Sequence, residues 1–417
     1  MAPAGRSPAE RGYLVKGPDG QPLQHDRFPV TWLDFTNSAA VDWWRGLWQR
    51  ALGDLGYDGG MLDVGEILPT EALLADGTTG AQTHNRYPLL YAQHAWQHAS
   101  SVRPDGDFLL FARSGAAGAQ QFQSLQWPGD PTMQWEAPAG LQSMIPAALS
   151  FGLSGFPYWH SEVGGYVQVG LPREQERELW LRWLQLGTWS ASLRDQYGDY
   201  PLAPMDFWLD EANQTAFRDA ARIHNSLIPY IYSVAAEAHR TGLPLMRFLP
   251  LEAPDDPRAW QEEQSYFFGR DLLVAPVTQP GATTRSVYLP RGQWVDFWTN
   301  QTYEGGREIV VPAPLDGGRA PAFIRAGALI PLAPEFDTLA PAAGAGIRTY
   351  SHDLIIRTTP IADETSSVTL YDGAQLTWDG TILRVANNPI ARSITLRAPG
   401  SADITARVNG AAAEIRG

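Results

Sequence analysis

Short apolar runs alternate along residues 31–194 with segments whose apolar residues recur at helical spacing. The predicted strands are 31–35 and then about five buried ones, 59–62, 108–113, 122–127, 155–160 and 189–194. The predicted helices run from Asn37 or Ser38 to about Leu55, from Pro88 to about Ala99, from about Gly140 to Leu149, from Pro172 to about Leu186, and from about Glu211 to His239 with Pro229 as a joint. This alternation predicts parallel α/β architecture, and the count suits part of a (β/α)8 barrel.

The pattern changes after about residue 242, where short strand-like runs are separated by turn signals. The runs are 243–249, 272–277, 286–289, 293–298, 308–311 and 321–331, and they predict an antiparallel β-sandwich. An Ala-, Gly- and Pro-rich stretch at 335–346 is typical of a linker, and the all-β pattern resumes from 347. We therefore predict a barrel segment over 1–241, a proximal sandwich over 242–334, the linker, and a distal β domain over 347–417.

The stretch Gly59–Pro69 is small and apolar at first and then changes abruptly to Asp63, Gly65, Glu66 and Pro69. A buried parallel strand is nearly all apolar, so an acid at its end points out of the carboxyl edge of the sheet. That edge is where α/β enzymes hold their chemistry. A helix or turn cap explains Asp63 equally well, and the stretch alone does not choose between the two readings.

Polar side chains also follow other predicted strands, and on a barrel these strand ends share one rim. They are Arg113, Asp130, and His160 with Glu162. Asp63 and Asp130 are 67 positions apart in the sequence, which fits two βα units of about 30 residues each. Glycosidases need such a carboxylate pair, and Trp127 offers an apolar wall beside Asp130.

Each of these residues also has a structural interpretation. An Asp at a strand end often caps a helix, Arg113 can simply pair with an acid, and a lone His160 is typical of a hydrogen-bonded structural histidine. A metal site from His160, Glu162 and a third ligand is disfavoured, because no HxH or HExxH spacing is present. We therefore expect no metal and no cofactor.

Composition narrows the class of protein. The net charge of −14 argues against nucleic acid and anionic membrane surfaces as partners. Lys16 is the single lysine, which argues against Schiff-base chemistry, and the absence of cysteine fits a cytoplasmic location. The N-terminal residues lack the apolar core of a signal peptide, and the longest apolar run, 145–159, is broken by Pro146 and Pro157. The 16 Trp suit sugar rings as well as a packed core.

Several motifs, in order and spacing, resemble glycoside hydrolase family 31, the α-glucosidase and α-xylosidase family, and most closely its sulfoquinovosidase branch. The motifs are Gly12–Lys16, Asp34–Asn37, Met61–Thr70, His84–Pro88, Phe111–Gly115, Gln126–Asp130, His160–Tyr166 and Arg325–Pro331. The resemblance covers about residues 12 to 335. It implies that the barrel segment corresponds to about strands 4–8 of the family's barrel.

The resemblance also implies roles for individual residues. Asp63 would be the nucleophile and Asp130 the general acid/base of a retaining mechanism, which needs carboxyl groups about 5–5.5 Å apart. The implied substrate-binding residues are Glu66, Arg113, Trp127, His160, Tyr166 and Gln196. Among them, Arg113 and Trp127 would line the glycone pocket, and Tyr166 matches a position that helps to bind the sulfonate in the sulfoquinovosidase branch.

Three departures from the family pattern bear on function. Glu162 stands where the family has Asp, and Gln196 stands where it usually has a sugar-binding His, which leaves the glycone open. The family places a β-sandwich and three barrel strands ahead of the Gly12 motif, so we expect either an upstream-encoded half of the barrel or a homo-oligomer as partner. The alternative to an α-glycosidase acting on small α-glycosides is a non-catalytic, carbohydrate-binding remnant.

Overall fold

The computed structural model describes residues 6–26, 30–196, 210–334, 352–359, 365–410 and 412–416. The chain divides into two compact units, Met1–Gly129 and Asp130–Gly417. Each unit has its own apolar core.

The first unit contains a small parallel sheet that ends in charged residues. Its strands are β1 (Gly59–Leu62), β2 (Leu109–Ala112) and β3 (Leu125–Gln126), paired in that order. The register aligns Leu62 with Ala112, so Asp63 and Arg113 follow neighbouring strands at one edge of the sheet. The predicted strand over 122–127 is shorter than expected, because Phe122 instead ends a 3₁₀ turn.

Two of the three helices described in the first unit follow the predicted segments, and the short helix at Gly80–Thr83 was not predicted. The three are α1 (Ser38–Gln49), α2 (Gly80–Thr83) and α3 (Tyr87–Val102). Asn37 is the cap of α1, because its side-chain oxygen accepts hydrogen bonds from the amides of Ala39 and Ala40. A π-helical turn, Arg50–Asp54, continues α1 to the end that the sequence predicts.

The second unit begins with helices that surround a core of tryptophans. The helices are α4 (Leu141–Leu153), α5 (Arg173–Thr188), α6 (Glu211–Ser226) and α7 (Ile228–Thr241). Pro229 lies in the first turn of α7, where its missing N–H costs nothing, and it forms the expected joint after α6. Trp180 and Trp183 of α5 are fully buried, so this helix is the centre of the core.

The strands predicted over 155–160 and 189–194 are wrong. Glu162 and Arg194 form an isolated parallel bridge, and the Ala191 amide donates to the Trp159 carbonyl, without a continuous ladder. The Ser190 hydroxyl is hydrogen-bonded to the nearby carbonyls of Gly187 and Ser192. Local side-chain bonds of this kind compete with sheet pairing.

Antiparallel strands follow α7 and form the proximal sandwich. They are β4 (Met246–Arg247), β5 (Tyr266–Phe268), β6 (Leu272–Val274), β7 (Thr284–Leu289), β8 (Gln293–Asp296), β9 (Thr302–Glu304), β10 (Arg307–Pro312) and β11 (Ala322–Arg325). Six of them form a sheet in the order β4-β5-β6-β11-β8-β9, and β7 pairs with β10. Strands β5 and β9 were not predicted, because both are short and β5, which is buried on both faces, does not alternate.

The last strands form two further sheets. They are β12 (Leu329–Leu332), β13 (Leu354–Thr358), β14 (Ser366–Thr369), β15 (Gln375–Trp378), β16 (Ile382–Ala386), β17 (Arg392–Arg397), β18 (Ile404–Val408) and β19 (Ala412–Arg416). The sheets have the orders β12-β13-β17-β18 and β14-β15-β16-β19. The single predicted run over 321–331 is therefore wrong, since a turn at Gly327 sends β11 and β12 into different sheets. The predicted linker lies outside the described residues, and the predicted domain boundaries stay a prediction.

Candidate active site

Asp63 lies at the carboxyl end of β1, as the sequence predicts. Leu62 before it is buried, whereas the Asp63 side chain is 42% exposed. The Val64 amide donates a hydrogen bond of 2.8 Å to Asp63 Oδ1. The carboxylate is therefore held by its own turn and is still open to a ligand.

Arg113 brings the two predicted acids of this turn together. Its Nε lies 3.0 Å from Asp63 Oδ1, and its Nη2 lies 2.9 Å from Glu66 Oε1. The arginine is 14% exposed, and Gly129 packs beside it, where a Cβ would lie 3.4 Å from Arg113 Cδ. One largely buried guanidinium therefore orients both carboxylates, which is the ordering that a nucleophile needs.

A cavity of about 160 Å³ adjoins Asp63 and was not predicted. Most of its walls are apolar or aromatic, and the aromatic residues are Trp32, Phe35, Trp44, Tyr87 and Tyr91. Burial, with a smaller contribution from Asp63, raises the pKa of Tyr91 to about 12, so this phenol stays protonated. The i, i+4 spacing of Tyr87 and Tyr91 on α3 was the sequence signal for a shared aromatic surface.

Trp127 follows β3 and is almost completely buried in this structure. It is 1% exposed, and its ring meets that of Phe111 edge to face at 5.4 Å. It belongs to the apolar cluster beneath the parallel sheet. Its role in lining the glycone pocket stays a prediction.

The predicted residues His160 and Glu162 share an arginine that the sequence reading did not single out. Arg194 Nη1 lies 3.1 Å from Glu162 Oε1 and 3.4 Å from His160 Nε2. His160 and Glu162 are 0% and 1% exposed, and the Val163 amide donates to the Arg194 carbonyl. The group is therefore largely screened from solvent. The only signal for Arg194 in the sequence was its positive charge two residues before Gln196.

Burial keeps His160 neutral. Desolvation, followed by repulsion from Arg194, lowers the pKa of His160 to about 3 from its ordinary 6.5. Because the Arg194 guanidinium can only donate, His160 Nε2 acts as the acceptor. The structural interpretation of this histidine therefore agrees with its surroundings, and its role in substrate binding stays a prediction.

Asp130 is exposed, and the next residue, Pro131, is hydrogen-bonded to Tyr166. The Pro131 carbonyl accepts hydrogen bonds from the amides of Tyr166 at 2.7 Å and Val167 at 3.0 Å. This pairing depends on a tight turn in which Gly165 has φ +85°, and a Cβ there would lie 2.9 Å from the Met133 nitrogen. Asp130 and Tyr166 therefore belong to one connected stretch of the second unit.

Gln196 is half-buried and lies two residues beyond Arg194. Within the described ranges, no group of three His, Asp or Glu side chains is arranged to hold a metal ion. Among the helices of the described ranges, none combines the length and the apolar character needed to cross a bilayer.

The comparisons with known proteins identify the family. The Glycosyl hydrolases family 31 TIM-barrel domain matches residues 4–234, and the Glycosyl hydrolase family 31 C-terminal domain matches residues 242–330. The first match alone covers more than half of the chain, so this chain belongs to glycoside hydrolase family 31.

Two of the similar curated proteins are sulfoquinovosidases. The chain is 33% identical to the sulfoquinovosidase of Escherichia coli over 320 residues, which is 76% of this chain and 47% of that protein. It is 35% identical to the sulfoquinovosidase of Agrobacterium fabrum over 322 residues, which is 76% of this chain and 48% of that protein. The chain spans about half the length of the curated relatives it matches.

A solved structure supports the fold. The cycloalternan-forming enzyme from Listeria monocytogenes, in complex with a pentasaccharide substrate, superposes with a TM-score of 0.78 at 28% identity. That match covers 93% of this chain and 38% of the other. The resemblance seen in the sequence and the predicted fold class, a partial (β/α)8 barrel followed by C-terminal β-sandwich domains, are confirmed.

Proposed function

We propose that this chain provides the two catalytic acids of a retaining α-glycoside hydrolase, with Asp63 as nucleophile and Asp130 as general acid/base. The observation that carries the proposal is the Asp63–Arg113–Glu66 group beside an aromatic cavity, in a member of family 31. A half-exposed carboxylate fixed by a guanidinium suits nucleophilic attack on a sugar. Membership of the family makes a glycosidic bond the target.

In the first step, a carboxylate oxygen of Asp63 forms a bond to the anomeric carbon while the glycosidic C–O bond breaks. The departing oxygen takes the proton of the Asp130 carboxylic acid. The products are a glycosyl ester on Asp63 and the free aglycone alcohol.

In the second step, water attacks the anomeric carbon and gives a proton to the Asp130 carboxylate. The ester bond breaks, and its electron pair returns to Asp63. Two inversions leave the sugar with its α configuration.

We propose an α-glucoside-like substrate, with α-sulfoquinovosides as the rival. The sulfoquinovosidase relatives and the position of Tyr166 favour the rival, whereas Gln196 in place of a histidine leaves the glycone open. A competition assay between nitrophenyl α-glucoside and nitrophenyl α-sulfoquinovoside decides between them, because the substrate with the higher kcat/KM is consumed first.

Single substitutions test the two acids. Asp63→Asn is expected to lower kcat by several orders of magnitude, since an amide cannot form the ester intermediate. Asp130→Asn is expected to lower kcat by about 100- to 10,000-fold. The matched controls are Asp54→Asn and Asp255→Asn, two exposed acids of the first and second units, which should keep the original rate.

The first sugar product, followed by NMR, gives an independent check. The α anomer is expected, and a β anomer would contradict double displacement. Sugar binding without turnover, unchanged by Asp63→Asn, would instead favour the carbohydrate-binding remnant.

A further inference from the structure

Val64, the residue after Asp63, has an unusual backbone conformation. Among the described residues, the non-glycine positions with positive φ are Val64 at +52°, Asn300 at +61° and Asn387 at +52°. Asparagine tolerates this left-handed region, but a β-branched side chain there is strained. Val64 is also 38% exposed, so burial of its side chain does not explain the strain.

Two geometric features meet at Val64. Its N–H, whose direction is set by the peptide bond after Asp63, donates to Asp63 Oδ1 at 2.8 Å. Its positive φ reverses the chain beyond it, so that Asp63 and Glu66 both reach Arg113. Both contacts of Asp63, from the Val64 amide and from Arg113 Nε, fall on the same oxygen, Oδ1.

We propose that Val64 is a positioning residue, whose N–H and strained turn together hold Asp63 Oδ1 and leave Oδ2 as the attacking oxygen. This inference rests on the proposed function, because it specifies how the proposed nucleophile is oriented. The lone pair of Oδ2 forms the bond to the anomeric carbon, and the leaving oxygen takes the proton of Asp130. On hydrolysis, the electron pair of the broken ester returns to Oδ2. Oδ1 keeps the hydrogen bond from the Val64 N–H and the ion pair with Arg113, which stabilise the carboxylate that leaves.

The strain itself can be tested without any turnover. Val64→Gly removes the Cβ and keeps the N–H, so the thermal midpoint is expected to rise by about 1–3 °C. The matched control is Val169→Gly, at an exposed valine without positive φ, which should lower the midpoint. A fall for Val64→Gly as large as the control's fall would contradict the strain.

The positioning role is tested by replacing the Val64 amide with an ester, which removes the N–H and keeps the side chain. Loss of one hydrogen bond to a charged group is expected to lower kcat by about 10- to 100-fold. KM should stay within about threefold, because substrate binding is not changed. The same ester at Val169, an exposed valine, should change neither constant.

The outcomes separate the two proposals. Turnover that survives Asp63→Asn, or a wild-type protein without turnover on α-glycosides, overturns the proposed function and the positioning role with it. Turnover that is lost in Asp63→Asn but unchanged by the Val64 ester overturns the positioning role alone. An ester that raises KM and leaves kcat unchanged also overturns it.

Discussion

The His160 imidazole is fully buried in the second unit, and Arg194 Nη1 lies 3.4 Å from its Nε2. The folded protein therefore holds this side chain neutral, with a pKa of about 3. An unfolded chain takes up the proton near the ordinary pKa of 6.5. The stability that depends on His160 is therefore complete above pH 6.5 and is lost progressively as the pH falls towards 3.

We expect His160→Gln to weaken this pH dependence, because glutamine cannot take up a proton. At about pH 5, protonation of the unfolded chain destabilises the wild-type fold by about 2 kcal/mol relative to neutral pH. Urea unfolding at about pH 7.5 and about pH 5 measures the loss, which should be smaller in the variant. His239→Gln, at an exposed histidine, is the control. Equal losses in wild type and His160→Gln would show that His160 does not titrate as described.

The buried pair of Glu162 with Arg194 gives a second prediction for single residues. Arg194→Met leaves a carboxylate that is 1% exposed without its cation, so we expect a loss of about 3–5 kcal/mol in the free energy of unfolding. Arg222→Met removes a half-exposed partner of Asp219 and should cost at most about 1 kcal/mol. Similar urea midpoints for the two variants would contradict the importance of the buried pair.

Residue patterns in the sequence predicted some of the site and missed other parts. Asp63, Glu66 and Arg113 were found because charges stand out at the ends of apolar strands, and the structure brings these three together. Arg194 was missed because its partner lies 32 positions earlier in the sequence, at Glu162. Val64 was missed because a backbone angle leaves no mark on a valine in the sequence.

At the scale of elements, the contact between β1 and β2 depends on a glycine. A Cβ on Gly59 would lie 1.8 Å from the Leu109 carbonyl oxygen, which is far inside van der Waals contact. Gly59→Ala must therefore push the two strands apart. The displacement would reach Asp63 and Arg113, because both follow directly after these strands.

We expect Gly59→Ala to lower the thermal midpoint and the activity together. The control is Gly46→Ala in α1, where an added Cβ meets no atom within 4 Å. Alanine there should stabilise the helix by about 1 kcal/mol. Calorimetry of both variants checks the pair, and an unchanged midpoint for Gly59→Ala would contradict the close approach.

Helices were easier to predict than strands for a physical reason. Helix α3 follows from the local spacing of apolar residues, and the joint at Pro229 follows from the missing proline N–H. Both signals lie within a short segment of the sequence. The strands over 155–160 and 189–194 were wrong, because pairing depends on partners that are distant in the sequence. The boundary between β11 and β12 was not predicted for the same reason. The two strands form one continuous apolar run in the sequence, but they belong to different sheets.

At the scale of the whole molecule, the edge strand β1 leads to a prediction about association. In the described part of the chain, the parallel sheet has three strands, and β1 is the half-buried edge strand, whereas β3 at the other edge is buried. Accessible edge strands favour pairing with other chains, so we expect the isolated chain to self-associate as its concentration rises. Sedimentation velocity over a concentration series checks this. A monomer at every concentration, with one cooperative thermal transition, would contradict it.

The most direct test of the central claim is the covalent intermediate itself. A 5-fluoro-α-glucosyl fluoride forms the glycosyl ester quickly and releases it slowly, so the labelled peptide can be isolated and sequenced by mass spectrometry. We expect one sugar, bound to Asp63, and no label in Asp63→Asn. A label on another carboxylate, or turnover without any covalent intermediate, would contradict it.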